Sequence, residues 1–342
     1  MERRKLGTQG LETAAIGLGC LSMSDFYGSA DESEGIATIR RALDLGVDLM
    51  DTSDCYGPFV NEELLGKAIA GRRDEVIVST KWGFLRHPDG TWLGMDASRA
   101  RAPEACDAAL RRLGIDVIDL WFIHWPDPAI PIEETIGAMG DLVRAGKIRY
   151  VGISNVKAPQ IRRAHAEFPI SAVQNDYSLA VRDDEAEILP LVRELGIGYM
   201  PFSPLGRGLL TGTVQTTEEL FEGDFRRTLS TFQGGNLEHN LALVEVLAGV
   251  ADELGATRAQ VALAWLLSRG DDVVPIPGTA KRHRVEENTA AVDLTLGSEQ
   301  LDLLDRTFFP GSLAGTNNWS RDEMEMANAA RRRTRERGAA GA

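Results

Sequence analysis

Val117-Ile-Asp-Leu-Trp-Phe-Ile-His124 is an almost unbroken apolar run of strand length, bounded by the turn residues that follow it. Behind it, residues 132–146 repeat apolar positions with a helical period and stop at Gly146. Ile148-Arg-Tyr-Val-Gly-Ile153 then reads as a second strand. Strand, helix, strand at this spacing implies a right-handed crossover between two parallel strands.

The same unit recurs on both sides. Upstream, strands are expected at 14–20, 47–51 and 76–81, with helices at 33–46, 62–71 and 103–114. Downstream, helices at 159–168 and 185–196 alternate with strands at 172–175 and 197–202. A Gly- and Thr-rich excursion covers 205–236. Helices at 237–255 and 258–270, a last strand at 272–277 and a last helix at 284–292 follow it. Eight strand–helix units favour an α/β fold of the closed (β/α)8 type, the TIM barrel. An open doubly wound sheet would want a Gly-x-Gly-x-x-Gly turn after the first strand. Here Gly17-Leu-Gly-Cys-Leu-Ser22 lacks the third glycine.

Two pieces fall outside the barrel. Residues 4–17 suggest an N-terminal hairpin turning at Gly7-Thr-Gln-Gly10, which could plug the barrel floor. Ser320-Arg-Asp-Glu323 has capping-box spacing, so a C-terminal extra helix is expected to start there and run into the basic stretch 331–337. That tail reads as a fraying helix end whose cations suit its C-terminus rather than as a polyanion site. The whole chain, 1–342, is expected to be one domain, with the barrel over about 14–292 and the tail over about 310–342.

The chain carries 37 basic and 51 acidic side chains, a net charge of −14. A surface this acidic repels phosphate backbones, so no nucleic-acid partner is expected, and an anionic ligand would need a local basic patch. No run is long and apolar enough for a membrane span, and the charged start lacks an apolar signal core, which gives a cytoplasmic expectation. Cys20, Cys55 and Cys106 are odd in number and widely spaced. They fit neither a disulfide framework nor a zinc site, and no metal is expected. Oligomeric state is silent, with monomer the default.

In a (β/α)8 barrel the reactive residues sit at the carboxyl ends of the strands. The polar residues there are Asp51, Lys81, His124, Ser154, Asn155, Gln174 and Asn175, with Tyr56 five residues past Asp51. Each alone could be structural. Together they make a proton-transfer apparatus. A phenol is a poor acid near neutrality unless its phenolate is stabilised, which an ammonium such as Lys81 could do while Asp51 aims it. A neutral His124 could orient a carbonyl oxygen. None of these groups is a strong nucleophile, so the matching electron source is a hydride donor.

These stretches resemble the aldo-keto reductase family. The matching segments are Asp51-Thr-Ser-Asp-Cys-Tyr-Gly57, Ser79-Thr-Lys-Trp-Gly83, Leu120-Trp-Phe-Ile-His124 and Gly152-Ile-Ser-Asn155. Pro201-Phe-Ser-Pro-Leu-Gly206, Ile276-Pro-Gly-Thr279 and Glu286-Glu-Asn288 continue the match in order, so it covers about residues 4–310. The resemblance implies a barrel that binds NADPH (or NADP+) across its mouth and a tetrad of Asp51, Tyr56, Lys81 and His124. It also implies that Ser154, Asn155 and Gln174 hold the nicotinamide carboxamide, with Phe202 stacked on the ring. Ser203, Leu205 and Gly208 would follow the pyrophosphate. Gly278, Thr279, Lys281 and Arg284 would surround an adenosine 2′-phosphate, and Glu287 and Asn288 the adenine.

The basic cluster Lys281-Arg-His-Arg284 supports that placement on its own chemistry. Cations at a helix start are unfavourable for the helix dipole, so a bound anion explains them better than solvent does. Arg226 and Arg227, in the excursion, are further candidates to fold over a pyrophosphate. Trp82, Trp125 and Phe59, with Phe26 and Tyr177, could line an apolar substrate pocket, although core packing competes for some of them. Trp319 could reach the mouth as a lid. The reading is an NADPH-dependent reductase of aldehydes or ketones, acting on a small-molecule carbonyl with Tyr56 as proton donor. The alternative is an NADPH-binding redox sensor with slow turnover.

Overall fold

A computed structural model describes residues 1–24, 27 and 31–316. Phe26, Trp319 and the tail helix expected from Ser320 lie outside the described residues. The chain runs β1 (Arg3–Leu6), β2 (Leu11–Ala14), β3 (Leu18–Gly19), α1 (Glu32–Asp44), β4 (Leu49–Asp51), α2 (Val60–Ile69), β5 (Ile77–Trp82), β6 (Phe84–Arg86), β7 (Trp92–Met95), α3 (Arg101–Leu113) and β8 (Ile118–Ile123). It continues with α4 (Ile132–Arg144), β9 (Ile148–Ser154), α5 (Ala158–Glu167), β10 (Ala172–Gln174), α6 (Ile188–Glu194) and β11 (Gly198–Tyr199). The last helices are α7 (Gly234–Leu254), α8 (Arg258–Leu267), α9 (Arg282–Thr289) and α10 (Ser298–Thr307).

Seven strands form one parallel sheet in the order β11-β10-β9-β8-β5-β4-β3. The eighth barrel position is filled by residues 272–278. Their backbone bonds to both edges of the sheet: Val274 N–H donates to Tyr199 O and Ile276 N–H to Pro201 O, while Gly17 and Gly19 donate to Pro275 O and Pro277 O. Pro275 and Pro277 have no N–H, so on the β3 side this stretch accepts hydrogen bonds from Gly17 and Gly19 without donating any. The expected (β/α)8 barrel therefore closes, with a seam where a regular strand was expected.

Alternation along the strands decides what the barrel holds. Leu49, Leu120, Phe122, Ala172, Met200, Val274 and Ile276 share the inward parity and form one buried cluster. Leu6 and Leu11, from the β1–β2 hairpin, complete it from below, so the hairpin is the floor plug that its sequence suggests. Two glycines make room. A Cβ on Gly152 would collide with the Phe122 ring, and one on Gly198 would lie 2.6 Å from Leu6 Cα. One inward step further up each strand, the residues turn polar: Asp51, Lys81, His124, Ser154 and Gln174. Outward-facing residues such as Val78, Trp82, Trp121, Ile123, Val151 and Val173 pack instead with the helix layer.

Two elements differ from expectation. The antiparallel hairpin β6–β7 follows the third barrel strand and turns through 87–91, where His87 N–H donates to Thr91 O. Its Pro88-Asp-Gly90 turn carries the residue chemistry of a tight turn. The helix α10 buries Leu304, and Phe308 just after it, against the helix layer, and Trp265 Nε1–H of α8 donates to Asp305. Among the described residues no helix is long and apolar enough to cross a membrane.

Candidate active site

Asp51 ends β4, Lys81 lies near the end of β5 and His124 directly follows β8, all on the inward parity. Tyr56 arrives on the loop between β4 and α2. Lys81 Nζ donates to Asp51 Oδ2 at 2.5 Å, to Thr52 O at 2.9 Å and to Tyr56 OH at 3.4 Å. The ammonium is thus shared between a carboxylate and the phenol, with its side chain fully enclosed. Asp51 Oδ1 accepts from Ser79 Oγ at 2.7 Å and from Gln174 Nε2 at 3.0 Å, so both its oxygens are held. The His124 ring meets the Tyr56 ring edge-on, with centroids 5.7 Å apart.

The protonation states follow from burial. Burial first, and then the Asp51 carboxylate, hold the Tyr56 phenol well above its ordinary pKa. The expectation that Lys81 draws it down is not met, because burial, and then the Asp51 carboxylate beside the same ammonium, act the other way. Tyr56 keeps its proton across the neutral range. Burial first, and then the Lys81 charge, push His124 well below its ordinary pKa, so the imidazole is neutral.

Tyr56 and His124 face a cavity of about 530 Å³. Trp125, Phe84 and Trp92 line it near these two residues, and Tyr27, Arg207 and Arg226 line it elsewhere. Every expected cofactor position lines it as well: Ser154, Asn155, Gln174, Phe202, Ser203, Leu205, Gly208, Gly278, Thr279, Lys281, Arg284, Glu287 and Asn288. Gln174 has its amide nitrogen committed to Asp51, and Asn155 its own to His124 O and Ser154 Oγ, each at 3.0 Å. Their amide oxygens remain as acceptors. Asn155, Ser203, Arg207 and Gly208 all have positive φ, which bends the loop backbone around the cleft.

Two cations enter the cleft from the excursion after β11. Arg207 donates to Asp176 Oδ2 at 3.1 Å, and Arg226 to Asp224 Oδ2 at 2.7 Å. Arg226 also stacks over the Tyr27 ring at 5.2 Å. Arg227 does not join it: its guanidinium donates to Leu220 O. At the start of α9, Lys281 is the residue before the helix, no acidic residue occupies the first turn, and Arg284 Nη1 donates to Glu287 Oε2 at 2.6 Å. These are the features an elongated anionic nucleotide requires, so the residues present fit a nicotinamide dinucleotide carrying an extra phosphate.

Three residues expected at the substrate pocket lie elsewhere. Trp82 follows Lys81 and so has the opposite parity; it stacks flat on Trp121 in the helix layer, 4.9 Å between centroids. Phe59 precedes α2 and lies under the Arg112 guanidinium of α3 at 4.9 Å. Tyr177 is buried against Trp265, with its hydroxyl on Glu185. Sequence reasoning missed Tyr27, Phe84, Trp92 and Arg207 as cleft residues. Only Arg207 had a local signal, its place between Gly206 and Gly208.

Asp54, behind the tetrad, is buried beside Glu62, whose carboxylate is taken by Arg112 and Thr80. Burial, then repulsion from Glu62, raises Asp54 from 3.8 to about 7. An acid with a raised folded pKa binds more protons folded than unfolded between those two values. Its contribution therefore makes stability fall as pH rises from 3.8 to about 7, with no further loss above. Asp54→Asn should flatten that decline and be the more stable protein at pH 8 by on the order of 1 kcal/mol. Urea midpoints at pH 5 and pH 8 check it; an equally steep decline in the variant would assign the dependence to other groups.

A closed parallel barrel whose polar residues gather at the carboxyl-end rim defines a class, the (β/α)8-barrel enzymes. Within that class the chain belongs to the aldo/keto reductase family, whose model matches residues 15–307, and it is an oxidoreductase. It is similar to the glycerol dehydrogenase AKR11B4 from Gluconobacter oxydans, at 27% identity and a TM-score of 0.83, covering 93% of this chain and 98% of that one. It is also similar to an aldo/keto reductase from Klebsiella pneumoniae in complex with NADP and acetate, at 29% identity and a TM-score of 0.71, covering 94% and 99%. A structure of an aldo-keto reductase from the same organism with NADPH matches at 29% identity and a TM-score of 0.71, covering 94% and 98%.

Proposed function

We propose that the protein reduces aldehydes or ketones to alcohols with NADPH, and that Tyr56 delivers the proton. The observation that carries this reading is the single ammonium, Lys81 Nζ, held at 2.5 Å from Asp51 and 3.4 Å from the Tyr56 hydroxyl at the cleft. The relatives from Klebsiella pneumoniae bound to NADP and NADPH support the cofactor. So does the cationic start of α9.

Bound NADPH supplies the hydride. Ser154, Asn155 and Gln174 would hold its carboxamide, Phe202 would lie beside its ring, and Lys281 and Arg284 would hold its 2′-phosphate. Neutral His124 donates a hydrogen bond to the carbonyl oxygen of the substrate and sets its angle. As that oxygen gains negative charge it becomes far more basic than a phenolate. The proton then leaves Tyr56 Oη even though burial holds the phenol's pKa high. Lys81 stabilises the phenolate left behind, and Asp51 keeps the ammonium in place. Phe84, Trp92 and Trp125 present rings beside Tyr56 and His124, which favours substrates with an apolar body. The three buried free thiols suit a reducing compartment, such as the cytoplasm.

The test is NADPH oxidation with a reactive aromatic aldehyde, followed by absorbance, with NADH run beside it. Turnover with NADPH at least about tenfold more efficient than with NADH is expected. Tight NADPH binding without turnover on any of a panel of aldehydes and ketones would replace this reading with the sensor.

A further inference from the structure

The tetrad needs His124 in one of its two neutral forms. If Nε2 carries the proton, the ring can donate to a substrate carbonyl; if Nδ1 carries it, the cleft-side nitrogen is only an acceptor. Nothing in the tetrad itself decides between them. The neighbour that does is Ser53, which is fully buried on the loop between Asp51 and Tyr56. Its Oγ lies 3.0 Å from His124 Nδ1, the shortest contact that hydroxyl makes.

The direction of this hydrogen bond follows from counting. Ser53 Oγ has one hydrogen and two lone pairs. The Cys55 backbone N–H donates to it at 3.4 Å, and Cys55 Sγ lies 3.3 Å away and 3.6 Å from His124 Nδ1, so Nδ1 faces the thiol as well as the nearer hydroxyl. Burial raises the Cys55 thiol to about 12, so it keeps its S–H and can fill the second lone pair. The Lys81 carbonyl, 3.4 Å from Ser53 Oγ, already accepts the Asp54 N–H at 3.1 Å. Asp54 Oδ1 is also 3.4 Å away. Lys81 O and Asp54 Oδ1, both at 3.4 Å, lie farther from the hydroxyl than Nδ1 at 3.0 Å, so its hydrogen goes to the nearest acceptor, Nδ1.

We propose that Ser53 is a positioning residue: its hydroxyl donates to His124 Nδ1, which fixes the imidazole as the Nε2–H form and holds the donating edge toward the cleft. The inference rests on the proposed function for its purpose, but its chemistry is independent of turnover. Cys55 takes part through its backbone N–H, which donates to the same hydroxyl and leaves it one fewer lone pair to accept an N–H from His124.

Nitrogen-15 NMR of the histidine side chains tests it directly. The chain has only five histidines, and a His124→Gln spectrum identifies the right one. The wild type is expected to show neutral His124 with its proton on Nε2 and Nδ1 in the hydrogen-bonded acceptor position. Ser53→Ala should move the Nδ1 resonance toward that of a free acceptor. It should also lower kcat about ten- to a hundredfold while NADPH affinity stays within about twofold. A wild-type spectrum with the proton on Nδ1 overturns the proposal even if Ser53→Ala does not fold. So does a folded Ser53→Ala protein whose Nδ1 resonance is unmoved, whatever its activity. Failure of the reductase reading shows elsewhere, as absence of turnover with the wild-type spectrum still as expected.

Discussion

Tyr56→Phe is expected to lower kcat for carbonyl reduction about a thousandfold and to leave NADPH affinity within about twofold. The phenol ring survives the substitution, so its edge contact with His124 and the packing of the loop are kept. Only the hydroxyl that Lys81 touches at 3.4 Å is lost. Lys81 retains Asp51 and the Thr52 carbonyl, so no buried charge is left unpaired. Paired measurements separate the effects: steady-state rates for the proton step, fluorescence quenching for cofactor binding. A variant that keeps a tenth or more of its kcat would mean that another group, or water, delivers the proton. Lys81→Met is a poorer test, because it strands Asp51 in the barrel without its cation.

Replacing both Lys281 and Arg284 with Ala is expected to raise the KM for NADPH by roughly a hundredfold and the KM for NADH by no more than about threefold. Each lost charge-assisted contact is worth about 1.5 kcal/mol, and a factor of ten each follows. The electrostatics sharpen the contrast. Arg284 is paired with Glu287, whose carboxylate is itself largely enclosed. Without the arginine that carboxylate faces the phosphate position uncompensated. The penalty therefore combines lost attraction with new repulsion, and it falls only on the phosphorylated cofactor. Equal losses for NADPH and NADH would move the 2′-phosphate away from α9, with Arg207 and Arg226 the remaining cations of the cleft among the described residues.

The barrel was legible because period and parity are properties of the chain itself. The apolar runs ending in Asp51, Lys81, His124 and Gln174 announce both the parallel strands and the rim where their last inward residues meet. Trp82 shows where reading stopped short. It follows Lys81 in an element whose residues alternate, so if one faces the mouth the other must face the helices, and Trp121 on the next strand supplies its partner. Phe59 carried no such internal clue, because its direction depends on the positive φ of the residue and on Arg112 from a different helix. Tyr27 reaches the cleft from the segment before α1 and Trp92 from the start of β7, both placed by tertiary packing. Lys81 in contact with Tyr56 was expected. That burial and Asp51 dominate the phenol was not, since the balance depends on depths and distances that spacing does not encode.

The floor plug also orders events during synthesis. Arg4 reaches the carbonyls of Gly270 and Val273, and Thr8 N–H donates to Gly196 O, so the hairpin is secured by residues made much later than itself. Until residue 273 has been made, Leu6 and Leu11 have no finished barrel to enter. The nascent chain must carry its first hairpin unsheltered while the parallel strands accumulate. The exposed, charged face of that hairpin, with Arg3, Lys5 and Glu12 pointing away from the two leucines, gives the waiting segment water-loving company of its own.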